Sequence, residues 1–519
     1  MKFSFKNITG KQSNTIFLVL LVSVFFFYDY NHIISKPPQS THMWRQADCL
    51  SFTLNLAQGD CDFFHMQTHS LTSDNDTSGA GVSEAPVLYY FVALLYRLFG
   101  YHYAIYRIVN TLLFFLGIFY LFKMLKLLFK NSFWTYLIPL FIFASPVVAY
   151  YASNFLTDTT AFSLSLIGWY YFFKFKDKSK DKFLYVSFLF FTLAGLLKIL
   201  SLTSFVAIGI IYLLELFTSL KFNGSKKLFY KAFKHFYPFI ILVIIISAWY
   251  IYALNYNSFH KTDYFSNKII PVWSLTFDNI INKINYIKNL HFKEYYHPVF
   301  FFITLGLFAF NLIFLKKSDK FLISLTFLLF LSNIAILVLW FKAFKDHDYY
   351  FISLIIFPVF NLITFINILE NLKIKFAVQL SSKIIFTGLL IFLFYDAGQK
   401  LNIRYHGWRN NDIKLYGAYT EITPYNRYIG IKRTDTIISI GDHTNSYSLT
   451  MMNQKGWTQM AGQNKTVENI KKHINKGAKY IFINNDKLLK EDYLQPFIKN
   501  KVGDFKNIRI FKLTDDTIK

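Results

Sequence analysis

Residues able to do group-transfer chemistry recur at a few places in this mostly apolar chain. The stretch THMWRQADCL (41–50) carries Arg45 and Asp48 three residues apart, on one face if 44–56 is helical. A carboxylate can take a proton from a hydroxyl nucleophile, and Arg, Lys or Tyr can hold an anionic leaving group such as phosphate. Further candidates of these types are Glu84, Asp158 in SNFLTDTTAF, Lys198 in GLLKILS, and the run KAFKDHDYY at 342–350.

Each candidate also has a purely structural interpretation. Asp48 and Asp158 could cap helices that begin just after them. Lys198 could extend its amine to polar surface from a helix end. His347, with the tyrosines that follow it, could belong to an interfacial aromatic belt. From residue type alone both interpretations stay open, with capping favoured for the two aspartates.

A metal site has little support in the sequence. HMQTH (65–69) places His65 and His69 four residues apart with Asp62 nearby, a spacing that could bind a metal on a helix. No acid follows the first histidine, so ordinary polar contacts of loop histidines are the favoured interpretation. No cofactor is required by the sequence, and a divalent metal is allowed but unsupported.

The composition indicates a membrane protein. Of 519 residues, 54% are hydrophobic and 16% charged, whereas soluble domains carry about 25% charged residues. Many apolar runs approach the roughly 20 residues that cross a bilayer. We therefore predict an α-helical polytopic protein with about eleven spans, near 14–33, 104–127, 133–150, 157–174, 183–198, 201–219, 236–255, 298–315, 320–341, 349–369 and 383–397.

The net charge of +25 is distributed as in a membrane protein. Lysines gather in short loops between the apolar runs, at 123–130, 174–182, 226–234, 316–320 and 371–375. Under the positive-inside rule these loops and the N-terminus are cytoplasmic, and an odd number of spans leaves the C-terminus outside. The first apolar run lacks a cleavage site and is expected to remain as a span. Without a compact basic face, nucleic-acid binding is not expected.

Three polar pieces are then expected on the outer side: the first loop (34–103), the segment 256–297 and the tail. In the first loop, 85–100 is predicted as a helix lying at the membrane interface, and Cys49 and Cys61 could form a disulfide or remain free thiols. We predict a transmembrane core over 1–397 and an extracytoplasmic α/β domain over 398–519. The tail's predicted strands are TIISIGD (436–442), AKYIFINN (478–485) and NIRIFKL (507–513), with a helix at 466–477.

On this topology the ionisable candidates gather at the outer ends of spans. Charges near a bilayer are expensive to keep and usually functional. A base, several cations and tyrosines at an outer membrane surface suit the transfer of a group from a lipid phosphate to an acceptor alcohol.

Several stretches also occur in an order that resembles a known family. They are WRQAD (44–48), EAPVLYYFVALLYRLFG (84–100), YRIVN (106–110), SPVVAYYASNFLTD (145–158), HDYYFISLIIFP (347–358) and SYSLTMMNQKGW (446–457). Together they resemble bacterial membrane glycosyltransferases of the GT-C superfamily, in the branch related to dolichyl-phosphate-mannose protein mannosyltransferases and to the lipid A aminoarabinose transferase. The resemblance covers about 40–370 well and the tail loosely.

The resemblance implies a polyprenyl (undecaprenyl) phosphate sugar donor and roles for particular residues. Asp48 would be the catalytic base, with Asp158 supporting it. The implied substrate-binding residues are Arg45, Glu84, Tyr89, Arg107, Lys198, His347, Tyr349 and Tyr350. Many relatives have Lys-Pro-Pro where this chain has Glu84-Ala85-Pro86, so a cation for the phosphate has to come from Arg45, Arg107 or Lys198.

The sequence therefore predicts an inverting glycosyltransferase of the bacterial cytoplasmic membrane that acts on its outer face. Its acceptor is open among lipid A, another glycolipid, a glycan in assembly and a protein. The alternatives are a glycolipid transporter or flippase, and a non-catalytic membrane scaffold. A transporter should show repeated halves and charges near the midplane, and neither is evident in the sequence.

Overall fold

The computed structural model describes residues 10–129, 132–262, 264–265, 269–374, 379–407 and 414–513. A helical membrane part is followed by a small mixed sheet. The helices of the membrane part are α1 (Gly10–Phe27), α2 (Tyr30–Ile33), α3 (Met43–Gln58), α4 (Val87–Phe99), α5 (Tyr103–Leu128), α6 (Ser132–Phe143), α7 (Pro146–Ala152), α8 (Asp158–Lys178), α9 (Asp181–Leu197), α10 (Thr203–Phe217), α11 (Ala232–Phe259), α12 (Phe277–Tyr286), α13 (Phe292–Tyr295), α14 (Pro298–Ile313), α15 (Lys320–Leu339), α16 (Ala343–Asp346), α17 (Ile356–Asn371) and α18 (Leu380–Asn402).

The predicted fold class is confirmed, but the number of candidate spans is lower than eleven. Among the described residues, seven helices are long and apolar enough to cross a membrane, or nine if two bent pairs each count as one span. The predicted span 133–150 is one such pair, α6 and α7, bent by 82°. Helix α9 has only 17 residues, and α8 begins with Asp158 and ends in lysines. Neither helix is therefore both long and apolar enough to count as a candidate span.

Helix α8 lies at the centre of the bundle and so fixes where its first residue, Asp158, can sit. It is buried along most of its length, whereas α1 and α5 present exposed apolar side chains such as Val19 and Leu112. A Cβ on Gly117 of α5 would lie 2.5 Å from Ser163 of α8, so only glycine permits this approach. On another face of α8, Trp169 donates to Ser204 Oγ at 2.9 Å.

The tail forms a five-stranded sheet in the order β2-β1-β3-β5-β4. Its strands are β1 (Thr436–Ile440), β2 (Gly456–Trp457), β3 (Ala478–Ile483), β4 (Lys501–Phe505) and β5 (Ile508–Lys512). Strand β1 pairs in parallel with β2 and β3, and β5 is antiparallel to β3 and β4. The three predicted strands and the helix, seen at Val467–Asn475, are confirmed. Two strands were not predicted: β2, which has two residues, and β4, whose sequence KVGDF carries two charged residues and a glycine among five.

The tail is docked on the first loop through backbone and charged contacts. The Gly456 N–H donates to the His69 carbonyl at 3.1 Å. Arg433 binds both carboxylate oxygens of Asp60, at 2.6 and 3.0 Å. The short tail helix Tyr447–Met452 lies against α3. These contacts hold tail residues over the helix that carries Arg45 and Asp48.

Asp76 is a second anchor between the first loop and the tail. Its buried carboxylate contacts His473 Nε2 at 3.2 Å, Lys472, and Lys476 Nζ at 3.7 Å. Burial would raise the pKa of Asp76, but bonds to His473 and Lys472 lower it to about 2. Because the folded-state pKa lies below the usual value of 3.8, this stabilisation is present above pH 3.8 and lost as the pH falls toward 2.

Replacing Asp76 is therefore expected to loosen the tail. Asp76→Asn should lower the free energy of unfolding by about 1–2 kcal/mol, since Lys472 is half exposed and its charge is screened. Thermal unfolding and limited proteolysis of the tail at neutral pH measure this effect. Asp62→Asn, at an exposed carboxylate of the same loop, is the control and should leave both unchanged. An equally protected tail in Asp76→Asn would contradict the anchor.

Candidate active site

Helix α3 brings Arg45 and Asp48 onto one face beneath the tail. The helix begins at Met43, so Asp48 lies in its second turn and does not cap it. Asp48 is fully buried. Its Oδ2 accepts a hydrogen bond from the Tyr264 hydroxyl at 2.8 Å. Its Oδ1 accepts from Ser446 Oγ at 2.7 Å and Asn445 Nδ2 at 3.1 Å. The carboxylate is therefore enclosed by three donors, two of them from the tail.

Burial is the main influence on the protonation of Asp48. It raises the pKa of this carboxyl above its ordinary value, although Arg45 and the three hydrogen bonds oppose the rise. A carboxylate with a raised pKa is a stronger base once it is ionised. Asp48 thus has the electrostatic character of a proton acceptor.

Arg45 links α3 to Glu84, which lies in the first loop three residues before α4 begins. Arg45 Nη2 donates to Glu84 Oε1 at 2.6 Å, and Tyr89 of α4 donates its hydroxyl to the same carboxylate. Burial would raise the pKa of Glu84, but the charges of Arg45 and Lys198 bring it down to about 2. Glu84 is therefore ionised at neutral pH and forms an ion pair with the guanidinium of Arg45.

Lys198 connects this cluster to α8. It follows the last residue of α9, and its Nζ lies 3.0 Å from Asp158 Oδ1. The same amine lies 4.4 Å from the ring centroid of Tyr350 and 5.1 Å from that of Tyr349. Two tyrosine faces and a carboxylate thus hold one cation, whose side chain is 12% exposed.

A cavity of about 370 Å³ opens beside Lys198. Candidate residues Glu84, Lys198, His347 and Tyr350 line it, together with Lys342. Its apolar walls are Leu197, Ile199, Leu200, Tyr250, Leu254, Ile269, Ile270 and Trp340. The carboxylates of Glu84 and Asp346 also line the cavity, and its two lysines together with its apolar walls suit a ligand that joins a phosphate to a hydrocarbon chain. Tyr349 is buried behind it, with its hydroxyl 2.9 Å from His347 Nδ1.

Arg107 lies away from this cavity. Its guanidinium donates to the carbonyls of Lys36 at 2.8 Å, Pro37 at 2.9 Å and Ser153 at 2.5 Å, and covers the Phe155 ring. It therefore ties the start of the first loop to the α7–α8 connection. Of the three cations considered from the sequence, Lys198 is the one that lines the cavity, and Arg45 reaches it only through Glu84.

The sequence analysis missed a second buried charge cluster beside the first. Asp348 lies 3.1 Å from His42 Nε2 and 2.9 Å from Arg404 Nη2, and it accepts from the Tyr151 hydroxyl at 2.7 Å. The His42 ring in turn lies 6.2 Å from that of His347. The run KAFKDHDYY signalled Asp348, but no local pattern signals Arg404, which comes from the end of the membrane part. Tyr264 and Asn445 were missed for the same reason.

The cysteines and loop histidines have ordinary surroundings. Cys49 and Cys61 are free thiols. His65 contacts Asp62 at 2.9 Å, and His69 lies 2.8 Å from Ser51 Oγ. Across the part of the chain that the structure describes, no group of three or more His, Cys, Asp or Glu residues is arranged to hold a metal ion.

Comparisons with known proteins identify the fold. No family model and no curated protein matches the chain. Among solved structures, ArnT from Cupriavidus metallidurans bound to undecaprenyl phosphate matches over 98% of this chain and 99% of its own, with a TM-score of 0.59 and 11% identity. The Archaeoglobus fulgidus oligosaccharyltransferase, tethered to an acceptor peptide, matches over 94% and 73%, with a TM-score of 0.53 and 9% identity.

The arabinofuranosyltransferase AftD from Mycobacteria matches over 98% of this chain but 40% of its own length, with a TM-score of 0.55 and 10% identity. These identities are low, so the similarity concerns the fold. The sequence resemblance predicted the same group of proteins from short motifs. The chain is a multi-pass membrane protein with the fold of GT-C membrane glycosyltransferases.

Proposed function

We propose that this protein transfers a sugar from a polyprenyl phosphate, of the undecaprenyl class, to an acceptor hydroxyl, with inversion at the anomeric carbon. The reaction takes place on the outer face of a bacterial cytoplasmic membrane. In this proposal the N-terminus is cytoplasmic, and the core (1–397) carries an extracytoplasmic domain (398–519) that covers the site. The acceptor is a lipid, a glycan or a protein.

The observation that carries the proposal is the continuity from base to cavity. Asp48 is on the same helical face as Arg45, Arg45 binds Glu84, and Glu84 lines the cavity with Lys198. Arg45, whose charge acts on Asp48 and whose guanidinium binds Glu84, thus connects the buried carboxylate to the cavity that Lys198 lines. ArnT, whose fold this chain shares, was solved with undecaprenyl phosphate, which supports the donor class.

Asp48 acts as the base in one displacement step. The acceptor oxygen attacks the anomeric carbon while its proton passes to Asp48. The bond between that carbon and the phosphate oxygen breaks, and the electron pair leaves with the lipid phosphate. Attack from the face opposite to the leaving group inverts the anomeric centre, as in inverting glycosidases that use a separate base.

Lys198 holds the leaving phosphate, with the hydroxyl of Tyr350 beside it. Lys198 suits this role because it lines the cavity, whereas Arg107 is bound to backbone carbonyls. Asp158 keeps the amine charged and in place at 3.0 Å. A fixed cation at the oxygen where negative charge develops favours the transition state over the ground state. His347, from the cavity wall, orients Tyr349 through the contact of its Nδ1 with the tyrosine hydroxyl at 2.9 Å.

Ser446 occupies the position that the acceptor hydroxyl needs. Its Oγ donates to Asp48 at 2.7 Å, the distance expected for a hydroxyl about to lose its proton to a base. The acceptor therefore takes over this hydrogen bond as the tail segment 444–446 moves aside. The proposal assigns the tail a direct part in admitting the acceptor.

The test is a transfer assay on purified full-length protein in vesicles. The protein is given radiolabelled polyprenyl-phosphate sugars and a membrane lipid extract, and Asp48→Asn is the inactive control. Label that moves to a new acceptor with wild type alone supports the proposal. Label that crosses the bilayer while still on the donor would identify a flippase instead. If the label neither moves to an acceptor nor crosses the bilayer with any donor or extract, the result favours a scaffold.

A further inference from the structure

A second cavity, of about 710 Å³, lies at the end of the bundle remote from the first loop. The start of α1 contributes Gly10, Lys11 and Asn14, and the last turns of α5 contribute Lys123, Lys126 and Leu127. Tyr170 of α8 completes the lining. The first loop joins the other ends of these helices, so this cavity is separate from the candidate active site.

Of the residues that the structure describes, three lysines and no carboxylate line this cavity. Lys123 Nζ lies 5.1 Å from the ring centroid of Tyr120 and 5.2 Å from that of Tyr170. Lys126 Nζ donates to Asn14 Oδ1 at 3.4 Å. Within the described ranges, none of the three amines forms an ion pair with an acidic residue. Rings orient Lys123 and an amide oxygen orients Lys126, without neutralising either cation.

Like charges gathered around one space repel each other, and an anion in that space relieves the repulsion. Lys176, at the same end of the bundle, is by contrast neutralised by Asp319 at 3.0 Å. The three uncompensated lysines therefore indicate an anionic occupant of the cavity.

The surroundings of the cavity indicate that the occupant also has a hydrocarbon part. The helix faces next to it expose apolar side chains, including Ile16 at 41%, Val19 at 59% and Leu127 at 43%. In a membrane these faces meet acyl chains, while the lysines lie at the headgroup level near the helix ends. An anionic head over apolar tails matches both parts of this surface.

We propose that Lys11, Lys123 and Lys126 bind the phosphate headgroup of an anionic phospholipid. Tyr170 forms the side wall of the site, and the acyl chains lie along the exposed apolar faces of α1 and α5. The lipid fastens the first helix to the rest of the bundle. This site is independent of sugar transfer, and its ligand is a membrane lipid that is not consumed.

The test compares lipid binding in wild type and in the triple variant Lys11→Gln, Lys123→Gln, Lys126→Gln. Detergent-purified full-length protein is titrated with short-chain phosphatidylglycerol, phosphatidylcholine and inorganic phosphate, and the unfolding temperature is measured. Native mass spectrometry counts the lipids that stay bound. The control variant is Lys316→Gln, Lys317→Gln, Lys320→Gln, which removes three exposed lysines from another loop at the same end of the bundle.

Phosphatidylglycerol should stabilise wild type and the control variant more than phosphatidylcholine does. In the cavity variant its affinity should fall about a hundredfold, as expected for three lysines near a lipid surface. Equal binding by the cavity variant, or no preference for phosphatidylglycerol, would overturn the proposal. If inorganic phosphate alone stabilised wild type, and the cavity variant lost this stabilisation, the ligand would be a soluble phosphate. That result would overturn the proposal of a lipid ligand.

Discussion

Asp48→Asn should abolish transfer while leaving the protein folded. Removing a positioned general base lowers the rate by about 10²–10⁴-fold. Among the described residues, the side chains that hydrogen-bond to the buried oxygens of Asp48 are two hydroxyls and an amide, and all three donate to it. Asparagine has the same shape, and its amide can donate to the Tyr264 oxygen while its carbonyl accepts from Ser446. The initial rate of label transfer and the unfolding temperature, measured on the same sample, test both parts.

The effect of this change on stability has a defined sign. Burial raises the folded-state pKa of Asp48 above 3.8. The folded protein therefore binds this proton more tightly than the unfolded chain does, and stability falls as the pH rises from 3.8 through the raised pKa. Asparagine carries no charge and avoids this cost, so Asp48→Asn should unfold at neutral pH at a temperature no lower than wild type.

Wild-type transfer should decline as the pH falls through the raised pKa, because only ionised Asp48 can accept the proton. Asp62→Asn, at an exposed carboxylate of the same loop, should transfer at the wild-type rate. Rates within a few-fold of wild type in a folded Asp48→Asn protein would remove Asp48 from the chemistry.

Lys198→Met should lower kcat/KM for the donor by about 10²–10³-fold, because the leaving phosphate loses its cation. The same change leaves Asp158 buried and unpaired. Breaking a buried ion pair from one side costs about 3–5 kcal/mol of stability. The single variant is therefore expected to be both inactive and unstable, which does not by itself separate binding from folding.

The double variant Asp158→Asn, Lys198→Met separates them. With both charges removed, the unfolding temperature should recover toward that of wild type. Transfer should stay low, because no cation has been restored. Recovery of transfer together with stability would show that the pair is only structural.

Lys342→Met supplies the matched comparison. Lys342 also lines the cavity, but it has no buried carboxylate partner among the described residues. Its loss should cost little stability and reduce transfer less than Lys198→Met does. If Lys342→Met raised the KM for the donor more than Lys198→Met does, the phosphate would be assigned to Lys342. Transfer against donor concentration gives the comparison directly.

The sequence predicted the fold class and several neighbours of the site because these depend on local patterns. Apolar runs, alternating strands and short motifs located the helices, three strands and residues such as Glu84 and Lys198. Span counting was less accurate because α9 is short and α6–α7 bends at Ser145. Residue types also suggested that Asp48 caps a helix, whereas α3 begins five residues earlier.

Long-range partners were beyond the reach of the sequence. Which of three cations faces the cavity depends on how α9, α11 and the 342–350 run converge. The pairing of Arg45 with Glu84 joins residues 39 apart, and the cover over Asp48 comes from about 400 positions downstream. No periodicity or spacing connects such residues, since their contact results from packing of the whole chain.

The distance along the chain between Asp48 and Ser446 has a consequence for biosynthesis. Asp48 leaves the ribosome early, and the serine and asparagine that enclose it are made almost last. During most of synthesis this carboxylate therefore lacks two of the three donors that enclose it in the folded protein. Its unusual basicity is acquired only when the finished tail docks on the first loop. On the topology proposed above, the nascent chain therefore carries this acid across the membrane before the tail covers it.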